Sequence, residues 1–155
     1  MAGMRALGRV YDVISAPSGI DICTKDCSGI GFLAVNGTTT AAILTVVAKP
    51  SFGGSSKNWT PANGFGQPNT MYTRTANTAA WVSNNVTSNW SSNALTVPAT
   101  TTGLISYVDF LVSEFADTYD YINVTVSGTG CTLPVAILYD LTVQRTPVNL
   151  RIPSA

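Results

Sequence analysis

The sequence contains no histidine and very little charge. Its 155 residues include eight basic and eight acidic side chains, so charged residues make up 10% of the chain and the formal net charge is zero. An average soluble protein has about 25% charged residues. A nucleic-acid-binding protein needs an excess of lysine and arginine to neutralise phosphates, so the composition argues against nucleic acid as a partner. The missing imidazole also removes the usual proton shuttle and metal ligand.

Long apolar runs and long helical patterns are also missing. The longest apolar stretch, residues 41–48, has the length of a strand, so no transmembrane helix and no membrane partner are predicted. Glu114 is the only glutamate, whereas a coiled coil needs glutamate and lysine in quantity. The first 13 residues do not resemble a signal peptide, because Arg9 and Asp12 interrupt any apolar core.

No pattern for an active site is found. Serines are frequent, but they lack a histidine base, and neither Gly-x-Ser-x-Gly nor a phosphate-binding loop occurs. Asp109 and Glu114 stand an odd number of residues apart on a predicted strand, so they point to opposite faces and do not form a carboxylate pair. Asp117 and Asp120 lack the spacing of a calcium loop. We therefore predict a protein that is not an enzyme, with no catalytic residue, no metal ligand and no cofactor.

The chain has three cysteines, Cys23, Cys27 and Cys131. A structural zinc site takes four ligands, usually with Cys-x2-Cys spacing and a second pair. Here the spacing is x3 and the second pair is absent. Three states stay open: a Cys23–Cys27 disulfide, a disulfide between Cys131 and either of the others, or three thiols.

The residues that are abundant favour strands. Hydrophobic residues make up 45% of the chain, and threonine, serine and asparagine together provide 46 of the 155 residues. Short runs of β-branched and aromatic residues alternate with turn residues and predict eight to ten strands. This pattern is typical of an all-β fold, an immunoglobulin-like or related β-sandwich. The predicted strands are 10–14, 20–23, 29–35, 40–48, 71–76, 79–87, 93–97, 104–115, 119–126 and 134–143.

Two tyrosines precede or begin one of these strands. In immunoglobulin-like sandwiches, a tyrosine near the start of a late strand donates a hydrogen bond to the upstream backbone. Tyr119 or Tyr121 is placed to make this tyrosine corner, and the alternative is that both side chains only pack. We predict a single sandwich domain over residues 1–144 and an extended arm over residues 145–155.

A long loop over residues 51–70 carries the first candidate contact residues. Loops of this length are uncommon inside compact domains and are often functional. Trp59 and Phe65 lie in this loop and need something to pack on, so both are predicted to contact a partner. Trp90, in another loop-like segment, is a third predicted contact residue. Trp81 falls on a predicted strand and is expected to belong to the core.

The C-terminal arm supplies the remaining candidates. Pro147 and Pro153 favour an extended conformation. Extended termini can add a strand to a neighbouring sheet or lie in a groove of a neighbouring protein. Arg145 and Arg151 are predicted to pair with carboxylates of a partner, and Ile152 is predicted to contact it.

The run from Val135 to Pro147, VAILYDLTVQRTP, resembles the closing segment of small head-associated proteins of tailed actinobacterial phages. The low charge and the abundance of threonine, serine and asparagine are also similar to phage structural proteins. This resemblance implies a capsid decoration or minor capsid protein on the outer surface of the virion, made in the host cytoplasm. It implies the major capsid protein as partner, and self-association, most often as a trimer. The family has no catalytic residues.

Two other functions remain open. The chain is an alternative candidate for a tail tube or head–tail connector subunit, which would form rings of six or twelve. It is also a candidate for a carbohydrate-binding or host-recognition module. The latter requires an exposed cluster of Trp59, Trp81 and Trp90 with acidic or amide partners.

Overall fold

The structure is a computed structural model that describes residues 12–25, 27–75, 80–98, 102–116 and 118–139. In these residues the protein is all-β, as predicted, and consists of two antiparallel sheets packed against each other as a β-sandwich. The first sheet has the strand order β1-β12-β3-β10-β6-β7. The second has the order β2-β11-β4-β9-β8, and β5 also pairs with β4.

The twelve described strands divide equally between the two sheets. The first sheet contains β1 (Asp12–Ser15), β3 (Gly29–Asn36), β6 (Thr70–Thr75), β7 (Val82–Asn85), β10 (Leu104–Leu111) and β12 (Cys131–Tyr139). The second sheet contains β2 (Asp21–Cys23), β4 (Ala42–Lys49), β5 (Lys57–Asn58), β8 (Trp90–Ser91), β9 (Ala94–Val97) and β11 (Tyr121–Ser127). Three short 3-10 helices in the described part of the chain cover Pro61–Asn63, Thr87–Asn89 and Val112–Glu114.

The core lies between the two sheets and follows the alternation of the strands. In β10, every second residue from Leu104 to Phe110 is buried, and in β4 the same holds from Ala42 to Ala48. Successive side chains of a strand point to opposite faces, so these residues face inward and their neighbours face outward. The inward residues of both sheets form one hydrophobic cluster. This arrangement leaves two outer faces, one on each sheet.

Several predicted boundaries were wrong. The predicted strand 104–115 ends at Leu111 and continues as a 3-10 helix, and the predicted strand 79–87 is reduced to Val82–Asn85. The last described strand begins at Cys131, three residues before its predicted start. The described residues contain twelve strands, because the two-residue strands β5 and β8 have no periodicity that a sequence pattern could show.

The loop over residues 51–70 is ordered by the sandwich itself. It contributes β5, which pairs with the end of β4, and one turn of 3-10 helix that begins at a proline. Proline suits the first turn of a helix because its missing N–H has no partner there. The loop therefore forms part of the fold, and two of its aromatic residues, Trp59 and Phe65, reach the interior, whereas Phe52 is exposed.

The two tyrosines of the predicted corner take different places. The Tyr119 ring packs edge-on against Phe65, with 5.3 Å between centroids, and the Lys57 ammonium lies 5.5 Å from the Tyr119 ring centre. Tyr121 begins β11 opposite Cys23 and Lys49. The tyrosine-corner hydrogen bond stays a prediction. The C-terminal arm, with Arg145, Arg151 and Ile152, lies outside the described residues.

Candidate functional site

Trp59 and Phe65 are not surface contacts, so this prediction was wrong. The Trp59 side chain is 0% exposed and Phe65 is also buried. The two rings stack with centroids 4.8 Å apart, and Phe110 and Phe115 meet Trp59 edge-on at 5.3 and 4.6 Å. The Trp59 indole N–H donates to the Gly66 carbonyl at 2.6 Å, which satisfies its one polar group. We call Trp59, Phe65, Phe110, Phe115 and Tyr119 the Trp59 cluster.

The other two tryptophans lie nearer the surface: Trp81 differs from its expected place in the core, and the predicted partner contact of Trp90 stays a prediction. Trp90 is half-buried against the core, and its indole N–H donates to the Pro68 carbonyl at 2.9 Å. Trp81, expected in the core, is 44% exposed and lies just before β7. It is exposed because β7 is an edge strand, and the register of β6 and β7 extends to put Trp81 beside the outward Arg74. The Arg74 guanidinium lies 5.5 Å from the Trp81 ring centre, within cation–π range.

The outer face of the first sheet is rich in apolar and aromatic side chains. Because Leu104, Ser106, Val108 and Phe110 of β10 face inward, the residues between them face outward, and the same reasoning applies to the neighbouring strands. We call this surface the tyrosine face. It comprises Val13, Leu33, Val35, Tyr72, Arg74, Trp81, Ile105, Tyr107, Asp109, Leu111, Val135, Ile137 and Tyr139.

Two glycines of β3 allow tyrosines to lie flat on this face. A Cβ atom at Gly31 would collide with the Tyr107 ring, and one at Gly29 would collide with the Tyr139 ring and hydroxyl. Gly31 pairs with Asp109 in β10 and with Ile137 in β12, so it lies in the middle of the sheet. Glycine in a strand interior often marks the close approach of another group. Here that group is a tyrosine ring from the neighbouring strand.

A single carboxylate is held among the tyrosines. The Tyr139 hydroxyl donates to Oδ1 of Asp109 at 2.7 Å. Burial raises the pKa of Asp109, and the hydrogen bonds from Tyr139 and from a backbone N–H offset only part of that rise. Burial, the Asp109 charge and Tyr72 raise the pKa of Tyr107 to about 12. The Tyr107 phenol therefore stays neutral across the physiological range and is available as a hydrogen-bond donor.

The outer face of the second sheet is different. Thr45 of β4 pairs directly with Thr125 of β11, and Thr96 of β9 and Ser127 of β11 lie on the same outward side. We call this surface the threonine face, although Ile43 and Val47 also belong to it. Small hydroxyl side chains of this kind hydrogen-bond to water on a solvated sheet face.

One edge of the second sheet carries a compact polar network. Asp21 of β2 is buried and forms an ion pair with Lys49, with 2.8 Å between Oδ1 and Nζ. The Asn123 amide donates to Asp21 at 2.6 Å, and the Gly53 N–H donates to it at 2.9 Å. Burial acts to raise the pKa of Asp21, but these hydrogen bonds and the Lys49 charge together lower it. The network ties the start of the central loop to the second sheet.

The described residues present little else that carries chemistry. No three histidine, cysteine, aspartate or glutamate side chains gather there as a metal site would require. Cys23, Cys27 and Cys131 are thiols, and the Cys27 thiol lies 2.9 Å from the Thr24 carbonyl. Within the same residues, no helix has the length and apolar character needed to cross a membrane.

Comparisons with known proteins identify no relative. No family model matches the chain, and neither the curated proteins nor the solved structures contain a significant match.

The sequence did contain a signal for the tyrosine face. In β10, residues on both sides of the strand are largely apolar: Leu104, Val108 and Phe110 on one side, and Ile105 and Leu111 on the other. A near-continuous apolar run is typical of a strand that is covered on both faces. In β11, by contrast, the polar residues Asn123, Thr125 and Ser127 alternate with apolar ones.

Proposed function

We propose that this chain is a non-enzymatic structural protein of a phage virion, a capsid decoration protein that binds the lattice of a major capsid protein. The tyrosine face is the observation that carries the proposal. A sheet that faces solvent usually alternates apolar inward and polar outward residues, and this one places Leu33, Ile105 and Ile137 outward. These three side chains are partly exposed, and Val13 and Leu111 of the same face are 52% and 42% exposed. Apolar side chains exposed together on one face mark an interface between proteins.

The composition of the chain supports a function within an assembly of many protein copies. A monomer in free solution usually carries net charge that keeps it soluble, whereas this chain has a formal net charge of zero. A decoration protein binds in many copies, which raises its effective concentration at the shell without strong single contacts. The sandwich supplies a stable core for such a protein, and the polar threonine face suits the side that meets water.

The C-terminal segment is the part of the chain proposed to reach the capsid. Arg145 and Arg151 provide guanidinium groups that pair with carboxylates, and Ile152 provides an apolar contact. The resemblance to head-associated phage proteins also rests in part on this end of the chain. Contacts through a terminal segment would leave both faces of the sandwich available for other neighbours.

The exposed cluster of tryptophans that the carbohydrate-binding alternative requires is not formed. That function required Trp59, Trp81 and Trp90 together on the surface. Trp59 is buried, Trp90 belongs to the second sheet, and Trp81 lies beside the edge of the first. The tail tube or connector alternative is separated from decoration by symmetry, since it would form rings of six or twelve.

Co-sedimentation with purified capsids tests the proposal. The full chain is expected to pellet with shells and to saturate at a fixed number of copies per capsid. A chain that lacks residues 145–155 is expected to keep its thermal unfolding midpoint and to bind at least tenfold more weakly. Thr125→Ala, on the threonine face, serves as the matched control and should bind as well as the unmodified chain. A full chain that stays in the supernatant at every concentration would refute the proposal.

A further inference from the structure

The tyrosine face has the size of a protein interface. Six strands about 4.8 Å apart give a width of about 24 Å, and the eight-residue strands β3 and β10 give a length of about 25 Å. A stable interface takes about 800 Å² of accessible surface from each partner, and a corrugated face of these dimensions is of that order. Its middle is apolar and aromatic, which is the composition of an interface core.

Apart from the edge strand β1, the strands of this face carry one charged residue of each sign. Arg74 of β6 and Asp109 of β10 are the charged residues on β3, β6, β7, β10 and β12 as described. The register pairs Arg74 with Ile105 and Tyr72 with Tyr107. Asp109 lies four residues beyond Ile105, so the Tyr72–Tyr107 pair stands midway between the two charges along the strands.

This placement is self-complementary. A two-fold axis that lies in the plane of an interface and crosses the strands at Tyr72 and Tyr107 exchanges the two ends of the face. It brings Arg74 of each copy level with Asp109 of the other along the strands and displaced sideways by one strand spacing, about 4.8 Å. The long Arg74 side chain spans that distance, so both charges are paired at once. Interfaces with two-fold symmetry use the same patch on both subunits and need such internal complementarity.

We infer that a second copy of this chain covers the tyrosine face, packed sheet against sheet about a two-fold axis at the Tyr72–Tyr107 pair. Arg74 and Asp109 form two equivalent ion pairs across this interface. The inference gives an occupant to the face that carries the proposed function, but it does not require capsid binding. A two-fold dimer also differs from the three-fold association that the resemblance implies.

The face is organised before the second copy arrives. Tyr107 and Tyr139 lie over glycines, Tyr139 holds the Asp109 carboxylate, and Arg74 lies over Trp81. Side chains that are already fixed lose less conformational entropy on binding. Flat tyrosine rings also allow two sheets to approach to about 10 Å, the usual spacing of packed sheets.

The mass of the purified chain in solution is the first test. Light scattering is expected to give about 32 kDa, twice the chain mass of 16.2 kDa. A monomer that persists at 100 micromolar concentration, or a trimer, would overturn the inference. A dimer that does not co-sediment with capsids would refute the proposed function and leave this inference standing, so the two failures are distinguishable.

Charge exchange tests the pairing itself. Arg74→Asp places two acidic groups on the face and Asp109→Arg places two basic groups, so each variant alone repels its own copy. Each is expected to weaken dimerisation at least tenfold. An equimolar mixture of the two is expected to form a heterodimer, because every cross-interface pair then joins opposite charges. Circular dichroism confirms that both variants are folded before they are mixed.

The controls keep the test decisive. Arg74→Asp leaves the Tyr139–Asp109 hydrogen bond in place, so it decides the matter alone if Asp109→Arg fails to fold. Thr125→Asp places a new aspartate on the threonine face and should leave the dimer intact. A folded Arg74→Asp variant that dimerises as well as the unmodified chain would overturn the inference, and so would an equal loss of dimer in Thr125→Asp.

Discussion

Most of the described aromatic residues gather in two places, the Trp59 cluster and the tyrosine face, and the two groups differ in their surroundings. In the cluster, the Trp59 ring lies 4.6–5.3 Å from rings at the end of β10 and just after the following 3-10 helix, and Trp59 is fully buried. On the tyrosine face, rings lie over glycines of a neighbouring strand, and Tyr72 remains 42% exposed. The loop residues hold the sandwich together, whereas the strand residues form a surface.

The largest expected effect comes from a substitution that disrupts the Trp59 cluster and leaves the tyrosine face unchanged. Trp59→Ala removes the central ring of the cluster and should lower the free energy of unfolding by about 3–5 kcal/mol. Phe52→Ala, the matched control in the same loop, removes a ring that is 48% exposed and should change it by no more than about 0.5 kcal/mol. Urea unfolding, followed by circular dichroism, measures both. Equal losses in the two variants would contradict the assignment of Trp59 to the interior and Phe52 to the surface.

A smaller effect tests why the tyrosines of the face lie flat. Gly31→Ala forces the Tyr107 ring from its place and should destabilise the protein by about 1–3 kcal/mol, as overpacking does. In a Tyr107→Ala background the obstacle is gone, and the same substitution should be neutral or stabilising by about 0.5–1 kcal/mol, because alanine suits a strand better than glycine. A four-variant unfolding cycle measures this reversal. The same cost in both backgrounds would show that Tyr107 is not what requires the glycine.

The smallest expected effect concerns the dependence of stability on pH, through the Asp21 network that ties the loop carrying Trp59 to the second sheet. The folded-state pKa of Asp21 lies below its unfolded value, so its network stabilises the protein above the unfolded pKa of about 3.9. That stabilisation is lost as pH falls through the folded pKa. Asp21→Asn should therefore be less stable at pH 6, with a difference from the unmodified chain that shrinks towards pH 3.

The carboxylate of the tyrosine face gives the control for that measurement. Burial raises the pKa of Asp109, so the contribution of Asp109 to stability changes with pH in the direction opposite to that of Asp21. The Asp109→Asn variant should therefore still lose stability in acid. Unfolding midpoints at several pH values compare the three proteins. A pH-independent difference between Asp21→Asn and the unmodified chain would contradict the ion pair with Lys49.

The sandwich could be predicted because its long strands have strong local patterns. Strands β3, β4 and β10 are rich in β-branched and aromatic residues and lie near the expected positions. The two-residue strands could not be predicted, since Lys57–Asn58 and Trp90–Ser91 form only because β4 and β9 offer an edge to pair with. Their existence depends on tertiary contacts, which local sequence does not determine.

The candidate site was predicted less well, and for a physical reason. Trp59 is buried by Phe110 and Phe115, which lie about fifty residues away in the chain. No local pattern shows such a contact. Trp81 is exposed because β7 is the last of the described strands of its sheet, and sheet order is also a long-range property. The outward apolar residues of β10 were visible in the sequence, but a second covered face was not deduced from them.

The pairing of β1 has a consequence for how the chain is synthesised. Among the described strands, β1 pairs with β12 alone, and Asp12 lies opposite Leu138, 126 positions later. At about 5–20 residues per second, a ribosome needs about 6–25 s to make that distance. Until then β1 has no partner among the described strands, and the edge of β3 that β12 will cover stays open to other chains. Low temperature or slow translation should therefore favour aggregation of nascent chains, and the pairing of β12 acts as the step that closes the described sandwich.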